Sequence, residues 1–292
     1  RPITDHWNDS QLLAFLNDGE VQSRVRSRHE KVSHNLYDYL KQCGFWGKNR
    51  KVALVDIGWD GTIQDNLVRA FTHLQEYPLQ HGLYFGRRNY KTFLQYSASF
   101  SNGLISDYRD NNITRISIDA CLEIFEKGAG APHASTVGYG RHPSGSVYPV
   151  FKGEETLSRQ EEVAANASIA VMQQGILDFA QHYGERLQNQ GFPATTGKPF
   201  VQGLITRHIA FPTYQEAYQV AHQLGAHAED MGEETVRGLA IKPREFWQAI
   251  KSRKLKKAKS LLKSAAWNSA SLRLIGLPGV HLLYTIKRYL SA

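Results

Sequence analysis

The stretch VALVDIGWDGTIQ, residues 52–64, decides the fold of this chain. Its apolar residues end at Asp56, and glycines follow before a segment with helical periodicity, which predicts a strand over 51–57 and a helix over 62–76. A second apolar run, GLYFG at 82–86, is typical of the next strand. A strand, a helix and a strand in this order form a βαβ unit, for which a parallel pair and a right-handed crossover are expected.

Outside this unit the apolar periodicity is mostly helical. The other predicted elements, in chain order, are a helix over 30–43 ended by Gly44, a short β-like stretch with a helix over 114–127, a hairpin over 135–151, a long amphipathic helix over 157–187 and a helix opened by a capping box of Thr213 and Glu216. The sequence therefore predicts an α/β protein with a Rossmann-like βαβ core and a parallel sheet, followed by a mostly helical second half.

Length and composition indicate a globular protein. The chain has 292 residues, of which 41% are hydrophobic, and this is enough for one large core or two smaller ones. Its two cysteines lack the spacing of a disulfide framework or a metal site, which favours a reducing compartment. No window approaches the roughly 20 apolar residues of a membrane span, and no signal peptide stands at the start. We divide the chain into an α/β core at 1–160, a helical region packed on the core at 161–247 and a C-terminal tail at 248–292.

The positive charge is concentrated in that tail. The net charge of the chain is +8, and residues 248–292 carry ten basic side chains and no acidic one, which leaves −2 for residues 1–247. Between the lysines, apolar residues recur at helical spacing, with a tryptophan on either side; they are Trp247, Ile250, Leu255, Ala258, Leu261, Leu262 and Trp267. This pattern suits an amphipathic helix on an anionic membrane surface. An equally open alternative is a solvated helix followed by a C-terminal helix that is docked on the body. RNA binding by the lysines is a weaker third alternative, so we expect no nucleic-acid partner.

Phosphatase chemistry at the 56–62 loop is the first of three alternatives. A phosphatase of the haloacid dehalogenase (HAD) type needs an aspartate nucleophile at a strand end and a second aspartate two residues later. Here Asp56 and Asp60 are four residues apart, and no later lysine and acidic pair stands ready to hold magnesium. The residues therefore disfavour this chemistry.

Phosphate binding is the second alternative for this loop. Gly58 and Gly61 permit close backbone approach, and Thr62 opens a helix whose first N–H groups are free to bind an anion. The loop also resembles that of phosphoribosyltransferases, although Ile57 stands where their second acid is found. Asp56 could then order a sugar hydroxyl or a metal. The third alternative is an ordinary tight turn in which Asp56 or Thr62 caps the helix, because two glycines are a weak signal alone.

Three segments together resemble a known group of proteins. VALVDIGWDGTIQDNL, GLYFG and LEIFEKGAGAPHASTVGY are similar to the region downstream of the phosphatase-like domain in large bacterial proteins described as predicted HAD-superfamily hydrolases. The resemblance covers roughly residues 35–185. It implies a setting in the synthesis of a capsule, an O-antigen or a similar surface glycan, beside glycosyltransferase domains. The aspartates of the family's phosphatase would lie before Arg1, so the hydrolase activity is not carried over to any residue here.

A second group of candidate residues follows the predicted strands. CLEIFEKGAGAPHASTVGYG contains a possible general base, Glu123 or His133, and two residues suited to bind a sugar or phosphate, Ser135 and Tyr139. Taken singly, each is more simply explained as a surface, turn or core residue. The resemblance makes Glu123 and His133 stronger catalytic candidates than the other acidic residues and histidines of the chain.

Two functional hypotheses follow. The first is a sugar or phosphosugar transferase with a nucleotide-sugar donor, a glycan or lipid-linked acceptor and, in one version, a divalent metal with the donor. Its predicted catalytic residues are Asp56, Glu123 and His133, its predicted binding residues are Gly58, Asp60, Gly61, Thr62, Arg87, Arg88, Ser135 and Tyr139, and no metal ligand is assigned. The second is a non-catalytic module that docks a neighbouring phosphatase-like or transferase domain to the membrane through residues 248–292. Both place the chain at the cytoplasmic face of a bacterial membrane, as a peripheral protein.

Overall fold

The computed structural model of the chain describes residues 8–88, 100–110, 113–131, 133–153, 157–224, 226–230 and 234–277, and the single positions 283, 286, 287 and 290. The elements in chain order are α1 (Ser10–Asn17), α2 (Gly19–Gln42), β1 (Lys51–Trp59), α3 (Thr62–Phe71), β2 (Leu79–Arg87), β3 (Ser101–Asp107), α4 (Ile113–Ala120), α5 (Glu123–Gly128), β4 (Thr136–Arg141), β5 (Val147–Phe151), α6 (Leu157–Gln190), a 3-10 helix (Ala194–Gly197), α7 (Lys198–Ala210), α8 (Tyr214–Gln223), β6 (Ala226–Asp230), β7 (Glu234–Gly238), α9 (Pro243–Lys251), α10 (Leu255–Ser264) and α11 (Asn268–Leu274).

A three-stranded parallel sheet in the order β1-β2-β3 confirms the predicted α/β fold. α3 connects β1 to β2, and β2 pairs with β3 from Gly82 opposite Ser101 to Arg87 opposite Asp107. The second half of the chain is mostly helical, as predicted. β3 was not predicted, because SNGLISD contains only two large apolar residues and no clear alternation.

Most of the predicted local elements are present. The hairpin over 135–151 is the antiparallel pair β4–β5, and the long helix over 157–187 is α6. The Thr213 hydroxyl accepts the Glu216 backbone N–H, and the Glu216 carboxylate accepts the Thr213 N–H, so the predicted capping box opens α8.

Two predictions on element type and length were wrong. The helix from Thr62 ends at Phe71 rather than near 76. The β-like stretch within 114–127 is helical, since this segment contains α4 and α5. β-Branched residues made it resemble a strand, but tertiary contacts override that preference. The Thr114 hydroxyl of α4 lies 3.0 Å from the Thr206 hydroxyl of α7.

The chain forms two compact units, whose boundaries run differently from the three divisions drawn from the sequence. Unit 1 comprises Arg1–Val52, Arg69–Leu79 and Ser135–Lys152, and unit 2 comprises Ala53–Val68, Gln80–Ala134 and Gly153–Ala292.

Unit 1 is organised around α2. The predicted stop at Gly44 is present, with a φ of +71°. Beyond it, the Trp46 ring stacks on Tyr37 at a centroid distance of 4.9 Å. The β4–β5 hairpin is attached to α2 because Asn35 donates to the Tyr139 carbonyl at 2.8 Å and the Gln42 amide exchanges two hydrogen bonds with the Val147 backbone.

Unit 2 has an apolar core built largely from the end of the chain. Trp267 has no exposed surface, its indole N–H donates to the Ile209 carbonyl at 2.8 Å, and its backbone N–H donates to the Leu239 carbonyl at 2.7 Å. A neighbouring cluster contains Ile241, Phe246, Ala249, Ala258, Ala265, Leu272 and Ile275. Residues 248–277 therefore pack into the core of unit 2, so the lysine-rich helix is docked rather than solvated along its whole surface. Most of the C-terminal helix that was expected after it lies outside the described residues.

Trp267→Ala tests the anchoring of this segment. The change removes a fully buried indole and its hydrogen bond, and we expect it to lower the free energy of unfolding by about 3–5 kcal/mol. Trp247, which is 40% exposed, provides a matched control, and Trp247→Ala is expected to cost less than about 1 kcal/mol. Urea unfolding of the three proteins measures both effects, and equal losses in the two variants would contradict the docked arrangement.

Candidate functional site

Between α3 and the sheet of unit 2 lies a buried layer that is unusually polar. Buried polar side chains are more informative about function than buried apolar ones. The layer contains Gln64, Asp65, Gln80, Tyr84, Arg87 and Ser101, and Ser106 and Asp107 are further buried polar residues at the end of β3. At its centre the Tyr84 hydroxyl donates to Gln64 Oε1 at 2.9 Å, and the Gln64 amide donates to the Phe100 carbonyl at 3.2 Å. Burial raises the pKa of Tyr84 to about 12, so it is a neutral phenol at physiological pH.

Gly58 lies inside β1, where the backbones of β1 and β2 come into direct contact. Its φ is +119°, and a Cβ at this position would lie 1.9 Å from the Gly86 carbonyl oxygen. A Cβ on Gly86 would in turn lie 2.4 Å from the Trp59 ring. Packing of the sheet therefore explains Gly58 without the ligand that was predicted to need it.

Trp59 connects the end of β1 to α5. Its indole N–H donates to Glu126 Oε1 at 2.9 Å, and its ring meets the Phe125 ring edge-on at a centroid distance of 6.2 Å. Since Trp59 is buried, this bond holds the Glu126 carboxylate at the sheet.

Asp56 lies within the electrostatic influence of the Glu126 carboxylate. Burial raises the pKa of Asp56, and the negative charge of Glu126 raises it further, while the backbone N–H groups of Gly58 and Ile57 oppose both effects. A carboxyl group with a raised pKa is suited to accept or donate a proton. Glu123 on α5 was the predicted acid, and Glu126, one turn later, was not predicted although the Glu-x-x-Glu spacing was the available signal.

The two predicted arginines are held in different ways. Arg88 donates to both carboxylate oxygens of Asp60, at 3.1 Å and 2.9 Å, and its backbone N–H donates to the Trp59 carbonyl. Arg87 is buried, and its guanidinium donates to Ser101 Oγ at 2.9 Å and to the Arg88 carbonyl at 3.1 Å. Of the two, only Arg88 is partly exposed at the carboxyl end of the sheet.

The start of α3 is open to solvent. Gly61, with a φ of +75°, is buried and accepts the first helical hydrogen bond from the Asp65 N–H. Thr62 and Ile63, the first two helical residues, are exposed. The helix start thus faces outward beside the Asp60–Arg88 ion pair.

Asp107 ends β3 with a second ion pair. Its carboxylate accepts the Gly103 N–H at 2.8 Å and two guanidinium bonds from Arg109 at 2.6 Å each. Burial of Asp107 raises its pKa, but the bonds from Arg109 and the backbone outweigh burial and lower the pKa to about 2. Asp107 is therefore a fixed negative charge.

The remaining predicted residues are divided between the units. Glu123 begins α5 in unit 2, where burial and the Glu123 charge together raise the pKa of the Cys121 thiol. His133 is exposed in unit 2, with Nδ1 2.9 Å from the Ala134 carbonyl. Ser135 and Tyr139 belong to unit 1, and the Tyr139 ring packs against Tyr39 at 4.7 Å.

Within the described residues, no group of three or more His, Cys, Asp or Glu side chains is arranged to hold a metal ion. None of the helices in that part of the chain combines the length and the apolar character needed to cross a bilayer.

Compared with known proteins, the chain matches no protein-family model, and no curated protein is significantly similar to it.

Gly58→Ala tests the contact between β1 and β2. Its Cβ would overlap a backbone oxygen that cannot move without shifting β2, and we expect a loss of more than about 4 kcal/mol in the free energy of unfolding. Gly175→Ala is the control, because a Cβ there meets no atom within 4 Å and removing a helical glycine stabilises by about 0.5–1 kcal/mol. Circular dichroism during urea unfolding compares them, and a mild effect of Gly58→Ala would refute the contact.

The Asp107 pair predicts a pH-dependent contribution to stability. Because the pKa of Asp107 is lower in the folded protein, its contribution is full above the unfolded value of 3.8 and is lost as the pH falls through about 2. At pH 7 we expect Asp107→Asn to lower the free energy of unfolding by about 2 kcal/mol. The loss of stability caused by Asp107→Asn should become smaller below about pH 4. In a protein that already carries Arg109→Gln, the pH-dependent effect of Asp107→Asn should also be smaller. A difference that stays constant with pH would contradict the assigned ion pair.

Proposed function

We propose that unit 2 is a sugar or phosphosugar transferase domain that binds the diphosphate of a nucleotide sugar at the start of α3. The observation that carries this proposal is the exposed helix start at Thr62, located at the carboxyl end of a parallel sheet. Ligands of open α/β sheets bind at this end of the strands. The N–H groups there form the positive end of the helix dipole, which attracts an anion. The Thr62 hydroxyl is able to donate to a phosphate oxygen.

The Asp60–Arg88 ion pair makes this place electrostatically suitable for a diphosphate. An unpaired Asp60 beside the helix start would repel phosphate. Because Arg88 binds both of its carboxylate oxygens, the charge of Asp60 is balanced and opposes phosphate less. Arg88 contributes in this arrangement through Asp60, whereas sequence analysis assigned it direct contact with the diphosphate.

Asp56, under the electrostatic influence of Glu126, is the proposed general base. In the reaction, Asp56 takes the proton of an acceptor hydroxyl, the acceptor oxygen bonds to the sugar carbon, and the bond from that carbon to the diphosphate oxygen breaks. The nucleoside diphosphate leaves with the bonding electrons. The raised pKa of Asp56 brings its proton affinity closer to that required of a base near neutral pH.

The setting is proposed from the resemblance to HAD-associated proteins of surface polysaccharide synthesis. It favours a glycan or lipid-linked acceptor at the cytoplasmic face of a bacterial membrane. A phosphatase function receives less support, because Asp60 is paired with Arg88 in the described structure.

Ligand binding is tested by thermal unfolding with UDP-glucose, UDP and inorganic diphosphate. We expect at least one of them to raise the Tm of the wild type. Thr62→Glu should abolish this rise, because a carboxylate at the helix start repels the diphosphate while it stabilises the helix by about 0.3–1 kcal/mol. Thr62→Gln, of similar size and neutral, should keep most of it. The absence of any shift with a wider set of nucleotide sugars would reject the proposal.

Catalysis is tested separately with Asp56→Asn. This variant should still show the ligand-induced rise in Tm but release no nucleoside diphosphate from the donor in the presence of acceptor. In the wild type, activity should increase as the pH rises through the pKa of Asp56, since only the ionised carboxylate accepts a proton. Full activity of Asp56→Asn would assign the base elsewhere.

A non-catalytic docking module is the second candidate, and one observation favours it. Parallel sheets are usually covered on both faces, yet Val55 of β1 is 79% exposed and Leu104 of β3 is 51% exposed. A neighbouring phosphatase-like or transferase domain would cover this face. Co-purification with such a domain, lost in Val55→Asp and accompanied by no response to nucleotide sugars, would favour this function over the first.

A further inference from the structure

The outward side of the α9–α10 hairpin carries an unusual density of positive charge. Seven exposed cations occur within 13 residues, and among the residues that the structure describes no carboxylate forms a salt bridge with any of them; they are Lys251, Arg253, Lys254, Lys256, Lys257, Lys259 and Lys263. The last acidic residue of the chain, Glu245, lies 3.9 Å from Lys242 instead. We call these seven side chains the basic ridge.

The basic ridge is fixed in place by the core beneath it. α9 buries Phe246 and Ala249, and α10 buries Ala258, so the intervening positions project outward. The turn between the helices is closed by the N–H of Arg253, which donates to the Ile250 carbonyl, and that of Lys254, which donates to the Ala249 carbonyl at 2.8 Å. The charges are therefore presented by a docked helical hairpin rather than by a free tail.

The same hairpin exposes two large apolar side chains. Leu255, the first residue of α10, stands between Lys254 and Lys256 in the chain and is 66% exposed. Trp247 on α9 is 40% exposed. An exposed leucine and an exposed indole on the same hairpin as many lysines are typical of surfaces that rest on the interface of a bilayer.

We propose that the basic ridge, with Leu255 and Trp247, docks the protein on an anionic phospholipid surface. The lysines approach the headgroup phosphates, and the two apolar side chains enter the boundary with the acyl chains. A nucleic acid would satisfy the lysines equally well, but its phosphate backbone would give Leu255 no apolar environment. Trp267, which flanks the amphipathic pattern in the sequence, takes no part because it is buried in the core.

This proposal does not depend on the transferase activity, because its residues lie outside the carboxyl end of the sheet. The test is co-sedimentation of the full chain with vesicles of phosphatidylcholine alone and with added phosphatidylglycerol. We expect binding only to the anionic vesicles, with an affinity that falls as salt is added.

Variants separate charge from apolar contact. The triple change Lys256→Gln, Lys257→Gln and Lys259→Gln should weaken vesicle binding by about fivefold per lysine, or roughly hundredfold in total. Leu255→Ser should weaken it by roughly tenfold, since a leucine loses its burial in the interface. The control removes the same charge from exposed positions of α2, through Arg26→Gln, Arg28→Gln and Lys31→Gln, and should change binding little.

Binding of a single-stranded RNA by the same proteins is the competing outcome. If the wild type binds RNA but not anionic vesicles, or if Leu255→Ser leaves vesicle binding intact, the lipid surface is the wrong partner. Equal losses in the α2 control and in the basic-ridge triple variant would show that net charge, and not this hairpin, governs binding.

Discussion

The contact between Gly58 and Gly86 is the constraint on which the carboxyl end of the sheet depends. Without side chains at these two positions, the backbones of β1 and β2 approach closely and the Trp59 ring lies across Gly86. Trp59 then holds Glu126 with its indole N–H and accepts the Arg88 backbone N–H with its carbonyl. Both the influence of Glu126 on Asp56 and the Asp60–Arg88 pair follow from this arrangement, so strand packing and site geometry have the same cause.

Unit 2 separates the groups suited to chemistry from those that provide most of its apolar burial. The layer between α3 and the sheet is polar, and its hydrogen bonds and ion pairs position charged groups at a cost in hydrophobic stabilisation. The helices around Trp267 supply a core of apolar side chains instead. The free energy of folding that the polar layer does not provide comes from the apolar C-terminal core. The layer therefore need not be optimal for stability, as is common at functional sites.

The C-terminal segment serves both purposes through its two sides. Residues such as Phe246 and Ala258 pack inward, while the lysines of the basic ridge project outward with Leu255 among them. Amphipathic spacing by itself is compatible with a free helix on a membrane and with a docked helix. The apolar side of α10 is occupied by the protein core, so any membrane contact is limited to the charged side and to the few apolar residues exposed there.

The sequence alone determined those features that depend on local periodicity, turn residues or short-range hydrogen bonds. They are the α/β class, the βαβ unit, the β4–β5 hairpin, α6 and the Thr213 capping box. Tertiary structure alone decided that β3 joins the sheet, that residues 114–127 are helical and that Trp267 lies in a core. It also decided which charges act on each other, bringing Glu126 within electrostatic reach of Asp56 and pairing Arg88 with Asp60. These pairings join residues 28 or more positions apart. No local pattern encodes such distances, because they depend on how the strands and helices pack.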